Sequence, residues 1–407
     1  MILTEQHIIT KYNLQWKLID NLCFLSKNLY NSAIYEIKQE FIKSAKVLRY
    51  VTLEKILKNK EEFNDYYKLP PAVSQSILIV LNRNIKSYFI LLRKWKKDKR
   101  TFRGCPKFPK YKHKTEGRNL IIFNKNTIRF KEGLIYFPKK ISLNPLGTKI
   151  KSSNFKQIRI VPKSGCYVIE VIYEKQEKEY KETKNKAAID LGINNLAVLT
   201  INKDYRPPKL INGRPLKSTN QYYNKRKTNI QSKLELRHKV KTSNKLLNLT
   251  LKRNNKIKDY LHKASRIIVN YLVEQKISEL VIGHNKEWKQ KSNIGKINNQ
   301  NFNQIPFNTF INMIKYKSKL EGIKVKEISE EYTSKCSALD LEELIQKEIY
   351  SGKRIKRGLF KTEKGLLINA DVNGSLNIGR KAFGDEFIPA NRGFVVNPDN
   401  IFKSYQN

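Results

Sequence analysis

An apolar run that carries an aspartate near its end most strongly limits what this chain can fold into. Residues 187–191 read Ala-Ala-Ile-Asp-Leu, a Gly-Ile-Asn-Asn turn follows, and a second apolar run spans 196–202. Two later runs, 279–283 and 323–328, also predict strands, and segments with helical spacing of apolar residues separate them. Because strands that alternate with helices are typical of α/β domains, we predict an α/β fold for residues 187–381.

A second aspartate, Asp371, lies in a segment that predicts the start of a helix. Gly374 and Ser375 follow one helical turn later, so this face of the helix has little bulk and can approach a strand closely. Asn373 and Asn377 share another face, and we expect their amides to orient a carboxylate or to contact a phosphate.

Each aspartate has a simpler interpretation when taken alone, because Asp190 could end a strand in a turn and Asp371 could cap a helix. Together, two distant carboxylates can converge on Mg²⁺, which takes oxygen ligands. Two such ions can bind the attacking and leaving oxygens of a phosphodiester. The pair therefore predicts a nuclease rather than a protein that only binds nucleic acid.

The charge of the chain points to a polyanionic partner. Its 407 residues include 81 Lys and Arg but only 36 Asp and Glu, which gives a formal net charge of +45. Because like charges repel within a compact protein, such a composition usually accompanies nucleic acid. A ribosomal or membrane-surface protein is the alternative that composition leaves open. The hydrophobic content of 40% allows real cores, and the length suggests about two to three domains.

The cysteines and the apolar runs indicate a compartment. The four cysteines are widely separated and form no C-x-x-C pair, which argues against a disulfide framework. No apolar run approaches the roughly 20 residues of a membrane span. The first residues also lack the basic-then-apolar order of a signal peptide. We therefore expect a protein of the reducing cytoplasm with no membrane partner.

The residue pattern of the chain changes along its length. Helical spacing dominates residues 14–97, with a break at Pro70 and Pro71. Short β-type runs and turns follow over 101–180, and a charged linker precedes the α/β region. The predicted boundaries are residues 1–13 and 101–183 for a β domain, 14–100 for a helical lobe, 184–383 for the α/β domain with a basic helical hairpin at 203–257 and an irregular insertion at 332–368, and 384–407 for a C-terminal tail.

Three motifs carry a resemblance to a known family. They read A-I-D-L-G-I-N-N-L-A at 188–197, Y-T-S-K-C-S at 332–337 and I-N-A-D-V-N-G-S-L-N-I at 368–378. Their sequence and order resemble those of the transposon-encoded TnpB proteins, RNA-guided DNA endonucleases related to the type V CRISPR effectors. The resemblance implies an α/β, multidomain fold: an RNase H-like RuvC nuclease domain preceded by a β-barrel-like wedge domain with an inserted helical recognition lobe.

The resemblance also implies a site. Asp190 and Asp371 match the first and third metal-binding acids of the family, which implies two Mg²⁺ ions. The family's middle acid is a glutamate at the end of the third nuclease strand, where this chain has Gly283.

Three glutamates could supply the missing carboxylate: Glu330 and Glu331 follow the fourth strand, and Glu287 lies four residues beyond the glycine. Functional groups gather beyond the carboxyl ends of the strands of an open α/β sheet, which favours Glu330, then Glu331. All three could instead be solvated loop acids.

A second departure from the family concerns zinc. Most members carry two C-x-x-C pairs before the last aspartate, whereas this chain has only Cys336 there. Four thiolate ligands are therefore impossible, and we expect no zinc. Cys336 is then predicted to be a small buried residue.

Basic clusters are candidates for contacts with nucleic acid, with a solvated surface as the alternative for any single residue. The candidates are Lys94, Lys96, Lys97, Arg100, Arg103, Lys107, Lys110, Arg226, Arg237, Arg253, Arg354 and Arg357.

The sequence therefore predicts a Mg²⁺-dependent, RNA-guided DNA endonuclease whose partners are a guide RNA and a target DNA. The catalytic and metal-binding residues would be Asp190, Glu330 and Asp371. The absence of an acid at Gly283 keeps open a cleavage-defective, RNA-guided DNA-binding repressor. A nuclease that resolves branched DNA without a guide is a third possibility, against which the large basic lobes argue.

Overall fold

The computed structural model describes residues 1–59, 65–285 and 295–401. Its contacts divide the chain into two compact units, Met1–Lys175 and Gln176–Asn407. The division falls earlier than the predicted boundary after residue 183, because the linker packs on the second unit. The Lys178 amide donates to the Leu320 carbonyl at 3.1 Å, and the Thr183 hydroxyl donates to the Lys276 carbonyl at 2.9 Å.

The first unit combines helices with short and long strands. Its strands are β1 (Ile2–Thr10), β2 (Ile121–Asn124), β3 (Arg129–Lys131), β4 (Leu134–Tyr136), β5 (Leu146–Gly147), β6 (Phe155–Lys163) and β7 (Cys166–Glu174). Its helices are α1 (Trp16–Ser44), α2 (Tyr50–Asn59), α3 (Asp65–Lys68) and α4 (Pro71–Lys97). Proline at the first position of α4 is favourable there, since its missing N–H would have no helical partner.

The sheet of the first unit joins the two ends of this sequence segment. Its antiparallel order is β1-β7-β6-β2, while β3, β4 and β5 form a separate three-stranded sheet. The helices thus lie between β1 and β2 in sequence. Within the described residues these strands form two separate sheets, and the β-barrel-like wedge domain with an inserted helical lobe stays a prediction.

The second unit alternates strands and helices. Its strands are β8 (Lys186–Leu191), β9 (Asn195–Ile201), β10 (Lys209–Asn212), β11 (Glu279–Gly283), β12 (Lys324–Ile328), β13 (Lys353–Lys356), β14 (Leu359–Lys361), β15 (Leu367–Asn369) and β16 (Asp399–Asn400). Its helices are α5 (Arg214–His238), α6 (Asn244–Glu274), α7 (Lys296–Gln304), α8 (Phe307–Leu320) and α9 (Ala370–Phe383).

One six-stranded sheet, in the order β12-β11-β8-β9-β10-β16, organises this unit. β8, β9 and β10 are antiparallel neighbours, whereas β11 is parallel to both β8 and β12. Alternate residues of β8 face opposite cores: Ala187 and Ile189 pack with α6 and α8, and Ala188 packs with α9. Because β8, β11 and β12 are parallel neighbours, their carboxyl ends meet at one edge of the sheet.

The structure adds detail to three of the predicted segments. The hairpin expected at 203–257 begins with β10, and its second helix, α6, is continuous to Glu274 instead of ending near 257. The expected tail adds β16 to the sheet beside β10, where Lys209 pairs with Asp399 at 2.7 Å. The insertion at 332–368 contains the sheet β13-β14-β15.

Within the described residues, no helix is both long and apolar enough to cross a bilayer.

Candidate active site

Asp190 lies near the end of β8, on the face that α9 covers. The glycine at position 374 permits this close approach, because a Cβ atom there would lie 2.8 Å from Oδ2 of Asp190. One residue later, the Ser375 hydroxyl donates to the Ala188 carbonyl at 3.1 Å. The predicted low-bulk face of the helix is therefore the face that contacts the aspartate strand.

Asp371 lies in the first turn of α9. Asn369 caps this helix by accepting from the amides of Asp371 and Val372 at 3.0 and 3.3 Å. The Asp371 carboxylate accepts a hydrogen bond from Asn195 Nδ2 at 2.7 Å and lies 3.6 Å from Nη2 of Arg354. An amide and a guanidinium therefore hold this acid.

Glu330 follows β12 and lies against the end of β11. A Cβ atom at Gly283 would lie 2.7 Å from Cγ and 2.8 Å from Oε1 of Glu330, and 2.4 Å from Cδ1 of Ile378. The side chain of Glu330 thus occupies the space beside Gly283. Within the described part of the chain, Oε1 of Glu330 is buried and has no hydrogen-bond partner.

Burial and mutual repulsion act on these acids together. Burial raises the pKa of Asp190 well above its usual range, and the nearby charge of Asp371 raises it further. Burial likewise raises the pKa of Glu330, and the charge of Asp190 adds to this effect. Asp190 therefore interacts with both of the other acids, and the guanidinium of Arg354 offsets part of the repulsion.

Asp190 interacts with both Asp371 and Glu330, but the three carboxylates do not form one group of metal ligands in the described residues. Across residues 1–59, 65–285 and 295–401, no three His, Cys, Asp or Glu side chains are close enough to form a candidate metal site. An orphaned carboxylate oxygen and two raised carboxyl pKa values are nevertheless the features that a cation would relieve. The donor set consists of hard oxygen atoms and fits Mg²⁺.

The two alternative glutamates differ from Glu330. Glu331 is exposed, although it is the next residue in sequence. Glu287 lies outside the described residues. The geometry thus supports Glu330 among the two candidates that can be compared.

The prediction for Asn373 and Asn377 is wrong. Both amides are fully buried and face the turn at 333–338. Asn373 donates to the Cys336 carbonyl at 2.9 Å, and Asn377 donates to the same carbonyl at 2.7 Å and to that of Thr333 at 2.9 Å. The shared face of α9 was correctly read from the sequence, but it anchors a loop instead of contacting a phosphate.

A buried glutamate that sequence reasoning missed organises the same loop. Glu342 accepts hydrogen bonds from the amides of Ser337 and Ser351 at 2.8 and 2.9 Å, and Lys347 lies 3.6 Å away. Nearby Cys336 is buried and free, as predicted for a small core residue. No spacing signal marks Glu342 in the sequence, because its partners are backbone amides.

The predicted nucleic-acid contacts are mostly exposed. Lys94, Lys96 and Lys97 end α4, and the exposed residues Arg100, Arg103, Lys107, Lys110, Arg226, Arg354 and Arg357 lie on turns, loops or element surfaces. Arg253 is half-buried and donates to Asn220, while the side chain of Arg237 lies outside the described part. Arg354 also lies 3.6 Å from the Asp371 carboxylate, and its contact with nucleic acid stays a prediction.

Comparison with known proteins gives two family matches. The family described as "Probable transposase" (OrfB_IS605) matches residues 168–289, and the Cas12f1-like TNB domain matches residues 307–378. The first match contains Asp190 and Gly283, and the second contains Glu330 and Asp371.

Relatives and a solved structure agree with these matches. The chain is 25% identical over 413 residues to the TnpB-like protein ORF457 of Acidianus two-tailed virus, covering 91% of this chain and 84% of that protein. It is 27% identical over 254 residues to the CRISPR-associated endodeoxyribonuclease Cas12f2 of a Micrarchaeota archaeon, covering 57% and 45%. The fold resembles Cas12f1 in a cryo-EM complex with sgRNA and target DNA, with a TM-score of 0.52, 16% identity, and coverage of 89% and 81%.

Fold and matches together define a mixed α/β, multidomain protein of the class that includes Cas12f effectors and OrfB-type transposon proteins. Within that class, the matches to the OrfB_IS605 family and to TnpB-like proteins support a TnpB-family protein.

Proposed function

We propose that the protein is an RNA-guided DNA endonuclease that hydrolyses a phosphodiester at Asp190, Glu330 and Asp371. The observation that carries this proposal is the position of the Glu330 carboxylate beside Gly283, where the resemblance implies the family's glutamate, together with the repulsion between Asp190 and the other two acids. The second unit would be the RNase H-like nuclease domain. Three antiparallel strands followed by two parallel strands at one side of the sheet support that assignment.

The three acids would hold Mg²⁺ together. The charge of Asp371 acts on Asp190 and that of Asp190 acts on Glu330, a repulsion that a bound cation would offset. Bound Mg²⁺ would supply an activated water and would stabilise the charge that develops on the phosphate. Asn195 orients the Asp371 carboxylate through its 2.7 Å hydrogen bond, and Arg354 neutralises part of its charge.

The nucleic-acid partners follow from the charge and the relatives. A net charge of +45 supports binding of a large polyanion. The related Cas12f1 was solved with an sgRNA and a target DNA, which supports the same partners here. Guide–target pairing would then select the sequence, while the protein would recognise duplex shape and a short flanking motif.

The test begins with the RNA that co-purifies with the protein. Sequencing should recover one defined species, and this ribonucleoprotein should cut a plasmid library that carries the matching target beside random flanks. Asp190→Ala and Asp371→Ala should abolish cutting and retain guided binding. Random RNA fragments, with equal DNA binding after RNase treatment, would contradict a guide.

The repressor alternative is distinguished in the same assay. The repressor alternative arises because Gly283 stands where the resemblance implies an acid. A protein that binds its guided target but never cuts it in Mg²⁺ would be a DNA-binding repressor. Glu330→Ala should behave like Asp190→Ala under the nuclease proposal, whereas Glu331→Ala should cut at close to the wild-type rate.

A further inference from the structure

A groove of about 630 Å³ separates part of α5 from α6, apart from the acid residues described above. On the α5 side, Ser218, Tyr222, Arg226 and Ile230 recur every four residues and so line one stripe of the helix. The volume falls in the range of roughly 300–1,000 Å³ that is typical of ligand sites. The groove is therefore large enough for a ligand rather than for water alone.

The charge of the groove has one sign. Arg226 from α5 faces Lys245, Lys252, Arg253 and Lys256 from α6, and no acidic side chain is among the lining residues. Five cations in one concave site concentrate positive potential, because nothing within the lining neutralises them. An anion is the ligand chemistry that this arrangement favours.

Two tyrosines add a stacking surface. Tyr222 lines the groove and is 62% exposed, so its ring is accessible to a ligand. Tyr223 is half-buried and is held by its hydroxyl, which lies 3.1 Å from Thr250 Oγ1. The guanidinium carbon of Arg253 lies 5.5 Å from the centre of the Tyr223 ring, within cation–π distance.

The position of Arg253 is fixed by other residues. Asn220 Oδ1 accepts from Nε and Nη2 of Arg253 at 2.8 and 2.6 Å, and the Gln304 carbonyl accepts from Nη2 at 3.1 Å. The cation beside Tyr223 is therefore built into the fold rather than being a mobile surface arginine. A preorganised arginine and ring lose little entropy when a ligand binds.

We propose that this groove binds an unpaired nucleotide segment of a single-stranded nucleic acid. A base would stack on the exposed ring of Tyr222, and the flanking phosphates would contact Lys252, Lys256 and Arg226. Aromatic stacking next to lysines and arginines is the chemistry by which single strands are recognised without base-specific contacts. This site is additional to the proposed nuclease function and does not depend on cleavage.

Unpaired nucleotides fit the groove better than a duplex. The rings lie among the lining residues of a concave site, and a paired, stacked base cannot reach such a ring without leaving its helix. Both a guide RNA and a displaced DNA strand contain unpaired nucleotides, so the two sources share this chemistry. The hydroxyls of Ser218 and Thr219 also line the groove and could contact a ribose 2′-OH.

The experiment uses the full-length chain freed of co-purified RNA and measures fluorescence anisotropy with labelled U8, dT8 and an eight-base-pair duplex. Tyr222→Ala should weaken binding of U8, dT8 or both by about 5- to 150-fold, and Tyr222→Phe should retain it because the ring remains. Lys252→Ala should reduce the salt slope for the single strand by about 0.7. Lys225→Ala is the matched control, since this exposed lysine of α5 is not among the lining residues.

The outcomes separate the two sources and the two proposals. Loss confined to U8 assigns the groove to guide RNA, and loss confined to dT8 assigns it to a DNA strand. Single-strand binding that Tyr222→Ala leaves unchanged, or an equal loss for the duplex, overturns the groove proposal whether or not the protein cuts DNA. A Tyr222-dependent single-strand site in a protein that never cuts would support the groove and contradict only the nuclease function.

Discussion

Two glutamates of one region, Glu330 and Glu342, meet burial in opposite ways. Glu342 is tied to the backbone amides of Ser337 and Ser351, so its carboxylate is satisfied within the loop. Glu330 has a buried oxygen without a partner among the described residues and lies next to Asp190. A buried carboxylate that accepts hydrogen bonds stabilises a fold. One without donors lowers the stability of the fold, and such groups are found mainly at functional sites. We infer that the first is structural and the second is functional.

The largest predicted effect on stability concerns the satisfied glutamate. Glu342→Ala should lower the free energy of unfolding by about 3 kcal/mol, because it leaves the buried Ser337 amide and the part-buried Ser351 amide without an acceptor. Urea unfolding monitored by circular dichroism would measure this loss. Glu343→Ala is the control, since its side chain is exposed and should change stability by no more than about 0.5 kcal/mol. Equal effects of the two substitutions would contradict the structural role of Glu342.

A second prediction concerns the space beside Glu330. Gly283→Ala should lower the free energy of unfolding by about 1–3 kcal/mol, because its Cβ would overlap Glu330 and Ile378. Gly104→Ala should be close to neutral, since a Cβ there meets nothing within 4 Å. The double variant Gly283→Ala, Glu330→Ala should lose less than the sum of its single variants. Strict additivity would mean that the two residues do not share this space.

Gly283→Glu extends this prediction to activity. A new carboxylate at the family's position would compete with the side chain of Glu330 for the same volume, so guided cleavage should not increase. A gain in the cleavage rate would show instead that Glu330 does not replace the acid that is absent at position 283.

A smaller effect should appear in the pH dependence of the metal-free protein. Because the folded pKa of Glu330 is raised, the folded state binds more protons than the unfolded state above the unfolded pKa of about 4.3. Stability should therefore fall as pH rises from there through the folded pKa. Glu330→Gln should remove this contribution and be more stable than wild type at pH 8, on the order of 1 kcal/mol. A variant less stable than wild type at pH 8, but not at pH 5, would contradict the raised pKa.

The local sequence pattern predicts two acids of the candidate site. Asp190 follows from an apolar strand that ends in a turn, and Asp371 from a helix start with small neighbours. Glu330 was favoured because it follows a strand end in a sheet whose parallel strands finish at one edge. Its placement beside Gly283 could not be read locally, because the contact joins residues 47 positions apart across two strands.

The misses share a physical cause. Asn373 and Asn377 have the right spacing for one helix face, yet the face packs on a loop whose path the sequence does not specify. Arg354 and Glu342 lie in the insertion that looked irregular, and their partners are an acid on another element and backbone amides. Tertiary contacts therefore decided the roles that side-chain type and spacing left open.

We infer that the carboxylate of Glu330 binds a cation and that the carboxylate of Glu342 does not. This inference is tested by the unfolding midpoint of the RNA-free protein with and without 10 mM Mg²⁺ at constant ionic strength. At ten times the dissociation constant, binding to the folded state would add about 1.4 kcal/mol. We expect wild type and Glu331→Gln to show this stabilisation and Glu330→Gln to lose it. Full stabilisation of Glu330→Gln, or its loss in Glu331→Gln alone, would rule out Glu330 as the ligand.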